Sequence, residues 1–180
     1  RNAPAMQLRV IAIVLAAGFS LPLSAGALDL SASGFGTFGY SRSDQPYTYQ
    51  RFVDDGGSFK RDSVLGVQVD ARLNDQFSAT LQGKIAASLK NDTTTDATIS
   101  WAFLSWRPSN DWLVRAGRLR VPFYLRSEST DVGTTFDFAQ LPTEVYSTSP
   151  TTDIDGLAIT KTWNTPAGEW MLDGYLGSTN

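Results

Sequence analysis

The sequence predicts an all-β chain, a transmembrane antiparallel β-barrel of which it carries about seven strands. Three observations predict it. Apolar and polar residues alternate with a period of two over long runs, so each run has one greasy and one wet face. The connections between runs alternate between short and long, the end-to-end asymmetry of an outer-membrane barrel. Aromatic residues flank the short connections, as an interfacial girdle requires.

The N-terminus comes first. Arg1–Ala5 precede the only plausible initiator, Met6, and "MQLR" is a short basic segment. Val10–Leu23 is an apolar run of secretory length, and Ala25–Ala27 offers a small-residue cleavage site. These are the three parts of a signal peptide in order. A membrane-spanning helix is disfavoured by the run's length and by Pro22 and Gly26. The chain therefore divides into residues 1–27, upstream residues plus export signal, and residues 28–180, strands. N-terminal sequencing of exported protein should begin at Leu28; a start more than a few residues away contradicts the assignment.

Composition excludes several functions. There is no Cys, so no disulfide framework is expected. There is no His, which removes Ser–His triads, Cys–His pairs and ordinary His-ligated zinc sites. Without Arg1 and Arg9, 13 basic residues face 18 acidic ones, a net charge of −5 that argues against a nucleic-acid partner. No P-loop or dinucleotide glycine fingerprint appears, and no cofactor, metal site or catalytic residue is expected. No segment after residue 27 reads as a transmembrane helix, so membrane entry would be by strands.

The first strand is expected near Leu30–Ser41. The second and third form a hairpin over Val64–Ala87 that turns at Asn74–Gln76. Leu65, Val67, Val69, Leu81 and Ile85 share its greasy face. The opposite face holds Gln68, Gln82, Asp70, Arg72 and Lys84, which suits a water-filled lumen. The second strand exceeds the usual length of about five or six residues and suffices to cross a bilayer, which takes about 9–11. The fourth to seventh strands are expected near Ala97–Trp106, Trp112–Leu119, Gly156–Trp163 and Trp170–Gly177. "NDQ", "RPSND" and "NTPAGE" are the short connections; Arg42–Arg61, Ser88–Asp96 and Arg120–Asp155 are the long ones. Trp106 with Trp112, Trp163 with Trp170, and Phe77 stand at the short turns.

Weaker signals carry little. "DIDG" (Asp153–Gly156) resembles the start of a calcium loop but lacks the rest, and is read as a turn before the sixth strand. "NDT" (Asn91–Thr93) is read as a polar loop. Glu128 with Asp131, and Asp153 with Asp155, are carboxylate pairs without a partner acid or a shaped pocket.

Two stretches then bring a family into view. "SGFGTFGY" (Ser33–Tyr40) and "LSWRPSNDWLVRAGRLRVPFYLRSESTDVGTTFDFAQLPTEVYS" (Leu104–Ser147) resemble the Gram-negative outer-membrane porins. The second stretch has an aromatic strand end, a short turn, a Gly117–Arg118 junction and then the longest loop. The resemblance implies a trimeric sixteen-stranded barrel, a bacterial outer-membrane location with lipid as a partner, and passive diffusion of small hydrophilic solutes and ions. Seven strands are about half of such a barrel, so the chain reads as its N-terminal part. The family's constricting loop corresponds to Arg120–Asp155, expected to fold into the lumen against the wall opposite Arg118, with Phe123, Tyr124, Phe136 and Phe138 as anchors.

The pore-lining and selectivity residues expected on this reading are Arg118, Arg120, Lys84, Arg72, Asp70, Glu128, Asp131 and Asp137. Acids on the loop facing basic wall residues would set a field across the constriction. The strand at Trp112–Leu119 poses a parity problem. If Arg118 and Arg120 face the lumen, Arg115 faces lipid, and Trp112, Val114 and Ala116 face inward. Arg115 lies near Trp112 and can snorkel, whereas a lipid-facing Arg costs roughly 2–4 kcal/mol near mid-bilayer. Arg118 and Arg120 inside is therefore the cheaper arrangement. The alternatives are a secreted carbohydrate-binding β-sandwich and an outer-membrane barrel enzyme.

Overall fold

The computed structural model describes residues 10–13, 19–25, 28–48, 53–88, 94–132, 135, 143–146 and 153–179. The strands are β1 (Val10–Ile13), β2 (Phe19–Ala25), β3 (Leu28–Ser41), β4 (Val64–Arg72), β5 (Phe77–Ala87), β6 (Thr95–Ser109), β7 (Trp112–Arg120), β8 (Asp153–Thr165) and β9 (Gly168–Ser178). The helical turn α1 (Thr143–Tyr146) lies between β7 and β8. All pairings are antiparallel, and from β3 to β9 each strand pairs with the next in sequence. The result is one open all-β meander, not a closed barrel. The seven strands expected from sequence are β3 to β9. The segment read as an export signal contributes β1 and β2, both paired with β3.

Local chemistry explains the hairpins. At the β4–β5 turn the Asn74 Oδ1 accepts from the N–H groups of Gln76 and Phe77, both at 2.9 Å. Leu73 N–H closes the turn on the Phe77 carbonyl at 3.0 Å. This is an Asx-type turn, and it fixes the register that pairs Val69 with Leu81 and Leu65 with Ile85. At the β8–β9 turn Gly168 adopts φ 137°, which a side chain would resist.

The sheet's two faces are inverted relative to a soluble protein. Leu65, Val67, Val69, Leu81, Ile85, Ile99, Leu104, Leu157 and Ile159 are exposed. Among the described residues only Val53, Leu119 and Ala158 are buried apolar residues, whereas Gln82, Ser100, Arg120 and Thr160 are buried polar ones. Among the described strands, extensive packing occurs only between sheet neighbours, and no second layer of described residues covers the apolar face. The apolar face ends in aromatics at the short-turn end: Phe77 stacks on Trp106 at 6.2 Å, and Lys161 lies over Trp112 at 4.8 Å.

On the polar face the Phe35 ring covers Gly66. A Cβ there would lie 2.2 Å from the ring's Cζ. An aromatic laid over a strand glycine supplies the packing that the glycine lacks. Gly66→Val should displace the ring and destabilise the sheet by about 1–3 kcal/mol, read as a lower urea midpoint for the folded protein in detergent.

Several expectations need correction. "DIDG" is not a turn: Asp153–Gly156 opens β8, paired with Gly117–Arg120. The arginines of β7 hold both aspartates, which keeps the segment extended. β6 runs on through Arg107 and Pro108 to Ser109, with an irregularity between Trp106 and Ser109. Asn91–Thr93 lies outside the described residues.

Candidate functional site

The candidate site is built on the polar face. Gln82 Nε2 donates to Gln68 Oε1 (2.8 Å), Gln68 Nε2 donates to Asp70 Oδ2 (2.8 Å), and Thr80 Oγ1 donates to Asp70 Oδ1 (2.7 Å). Cross-strand register creates this ladder, since Gln68 opposes Gln82 and Asp70 opposes Thr80. Lys84 stands two residues beyond Gln82, on the same face.

The segment after β7 folds back over this face. Pro122 lacks the N–H that would continue the ladder. Ser127 is buried; its hydroxyl accepts from Tyr124 N–H at 2.9 Å, and its N–H donates to the Tyr124 carbonyl at 3.0 Å. This turn aims Asp131 at the wall. Lys84 Nζ meets Asp131 Oδ1 at 2.6 Å, and Arg120 Nη1 meets Asp131 Oδ2 at 3.1 Å. Arg120 Nε also donates to Asp153 Oδ1 at 2.9 Å, and its Nη1 reaches Thr130 Oγ1 at 3.1 Å. The Arg120 side chain is only 5% exposed, so its charge is sheltered and fully matched, the condition under which a buried ion is tolerable. Burial alone would raise the Asp131 pKa, but Lys84 and Arg120 outweigh it and hold the carboxyl below its ordinary value.

The other expected residues fall as follows. Asp70 is part of the ladder. Arg72 pairs with Asp75 at 3.1 Å beside the short turn, and both are largely exposed. Glu128 is exposed on the loop, close enough to act electrostatically on Tyr175. Asp137 lies outside the described residues, as do Phe136 and Phe138. Of the other expected anchors, Tyr124 packs its ring on Tyr146 at 5.2 Å, and Phe123 is exposed.

The parity of β7 is the reverse of the cheaper arrangement. Arg118 opposes Ala102, which opposes exposed Leu81, so the register puts Arg118 on the apolar side. Arg115 opposes Ser105 and Ala158, and Ala158 is buried and opposes Tyr175, so the register puts Arg115 on the polar side. Trp112, in the Arg118 set, is exposed beside Lys161. The reason is Asp155: Arg118 Nε and Nη2 chelate its two carboxylate oxygens at 2.8 and 2.7 Å. Beyond Arg118 the alternation breaks, since Leu119 and Arg120 are buried in succession. Sequence reading missed Asp153 and Asp155 as the arginines' partners. The signal was their two-residue spacing, equal to that of Arg118 and Arg120.

Comparisons with protein-family models, with curated proteins and with solved structures find no match to this chain.

Proposed function

We propose that the chain forms part of the wall of a passive outer-membrane diffusion channel for small hydrophilic solutes and ions. One observation carries the reading: the sheet exposes its large apolar side chains while a loop is pinned by charge to its polar face. An exposed apolar face of this size seeks protein or lipid. Aromatics at its short-turn end and long polar connections at the other suit lipid.

On this reading the loop narrows the pore, and Lys84, Arg120 and Asp131 stand at the narrowing, with Asp70, Arg115 and Glu128 nearby. Transport follows from size and charge, and the residues perform no bond chemistry. Closure of the sheet requires further strands, because open edges leave backbone groups unpaired in lipid. The porin resemblance supports a homotrimer of barrels, each completed by strands beyond those described, and the basic, apolar and small-residue segments within residues 1–27 support export through a leader.

The test is reconstitution of the full-length protein in planar bilayers. Discrete, ohmic conductance steps are expected. Protein that stays soluble without detergent and yields no steps overturns the proposal and favours a secreted sandwich.

A further inference from the structure

Arg118 and Asp155 stand where a lipid-embedded wall should hold no charge. The row across the sheet at their level reads Val69, Leu81, Ala102, Arg118, Asp155. Val69 and Leu81 are exposed apolar residues, and each charged side chain of the pair is 39% exposed. Arg118 lies six residues from Trp112 along β7. At a rise of about 3.3 Å per residue and a tilt of about 40°, that is about 15 Å above the tryptophan level, inside an apolar band about 25 Å tall.

Chelation by Asp155 also prevents the guanidinium from snorkelling to the headgroups. It engages two of the five guanidinium N–H donors, and the other three make no hydrogen bond among the described residues. Hydrocarbon cannot satisfy them. The pair sits in a depression of about 420 Å³ bordered by Ile99, Ala102, Gly117 and Gly156. A Cβ at Gly117 would meet the Ala102 carbonyl oxygen at 2.2 Å, and one at Gly156 the Leu176 carbonyl oxygen at 2.1 Å. The depression is therefore fixed by the backbone.

We infer that this patch is a docking surface for a second copy of the chain, so that protein covers the ion pair. The inference rests on the reading of the sheet as a lipid-embedded wall. Charge complementarity selects the occupant. Around the threefold axis of the proposed trimer, with the patch near that axis, contacts run head to tail, so Arg118 of each copy can meet Asp155 of the next and each cation and anion finds a counterpart. Headgroups of either sign lie outside the apolar band in which the pair stands, so lipid does not supply that counterpart.

The test places an environment-sensitive fluorophore at Ala102→Cys or Leu65→Cys in the full-length protein, reconstituted with brominated lipid. The Leu65→Cys label should be quenched severalfold. The Ala102→Cys label should be protected in the assembled protein and quenched after the copies are dissociated. Equal quenching at both positions in the assembled protein overturns the inference. Absence of quenching at Leu65→Cys overturns the lipid-wall reading itself. A second measurement uses the double variant Arg118→Leu with Asp155→Leu. Its oligomer band should be lost at lower temperature on semi-native gels, while the single-channel conductance of the protein that inserts is retained. An oligomer of unchanged stability overturns the inference.

Discussion

Asp131→Ala should free the loop from the wall and raise single-channel conductance. The carboxylate holds two cations from two different strands, Lys84 of β5 and Arg120 of β7. Its removal leaves Lys84 without the partner at 2.6 Å and leaves sheltered Arg120 with Asp153 alone among its acids. Breaking a buried ion pair from one side costs about 3–5 kcal/mol, and Lys84, at 19% exposure, keeps enough water to place this case at the low end. A change of about 3 kcal/mol shifts the attached-to-detached ratio by about two orders of magnitude, enough to detach most loops. The pH dependence has a defined sign. Asp131 titrates below its ordinary value when latched, so the latch is fully present above that value and is lost as pH falls through the lowered one. Conductance should hold from neutral pH down to about pH 4 and rise only below it. Flat conductance in both the variant and the acid titration would place the loop away from the conduction path.

The second large effect concerns the outer face. Leu81→Arg should destabilise the bilayer-inserted protein by about 2–4 kcal/mol, the cost of a lipid-facing Arg near the midplane. Leu81 is 52% exposed and lies between Val69 and Ala102 in its row, so no acid in the row stands beside it. Thr80→Arg, one residue away on the wet face beside Asp70, should cost much less. Urea titration of the protein folded in lipid vesicles separates the two. Equal losses would mean that both faces meet protein or water.

How much of this was legible in the sequence differs by element. The β4–β5 hairpin was readable almost residue by residue, because strict alternation and the Asn74 turn leave one register. The all-β antiparallel meander was readable for the same reason. Strand ends were less so. Asp153 and Asp155 lie within β8, where cross-strand arginines neutralise them, a contact between segments more than thirty residues apart. The facing of β7 was not readable. Counting single charges against lipid favoured Arg118 inside, but a chelated pair is a different object from a lone arginine, and only register reveals the pair. The aromatics are the loop's most visible anchors in the sequence, yet in the described part the hold comes from Asp131, with Phe123 left exposed. A lone loop aspartate looks like any solvated charge until Lys84 and Arg120 stand beside it.

If the sheet is a channel wall, its greasy face meets lipid and its wet face meets water. Spin labels at Leu65, Val67, Val69, Leu81 and Ile85, and at Gln68 and Gln82, in the full-length protein in bilayers test it most directly. The first set is expected to be accessible to oxygen and shielded from an aqueous relaxation agent, with the reverse for the second set. Identical accessibility for the two sets would contradict it, because the apolar face would then be packed against protein.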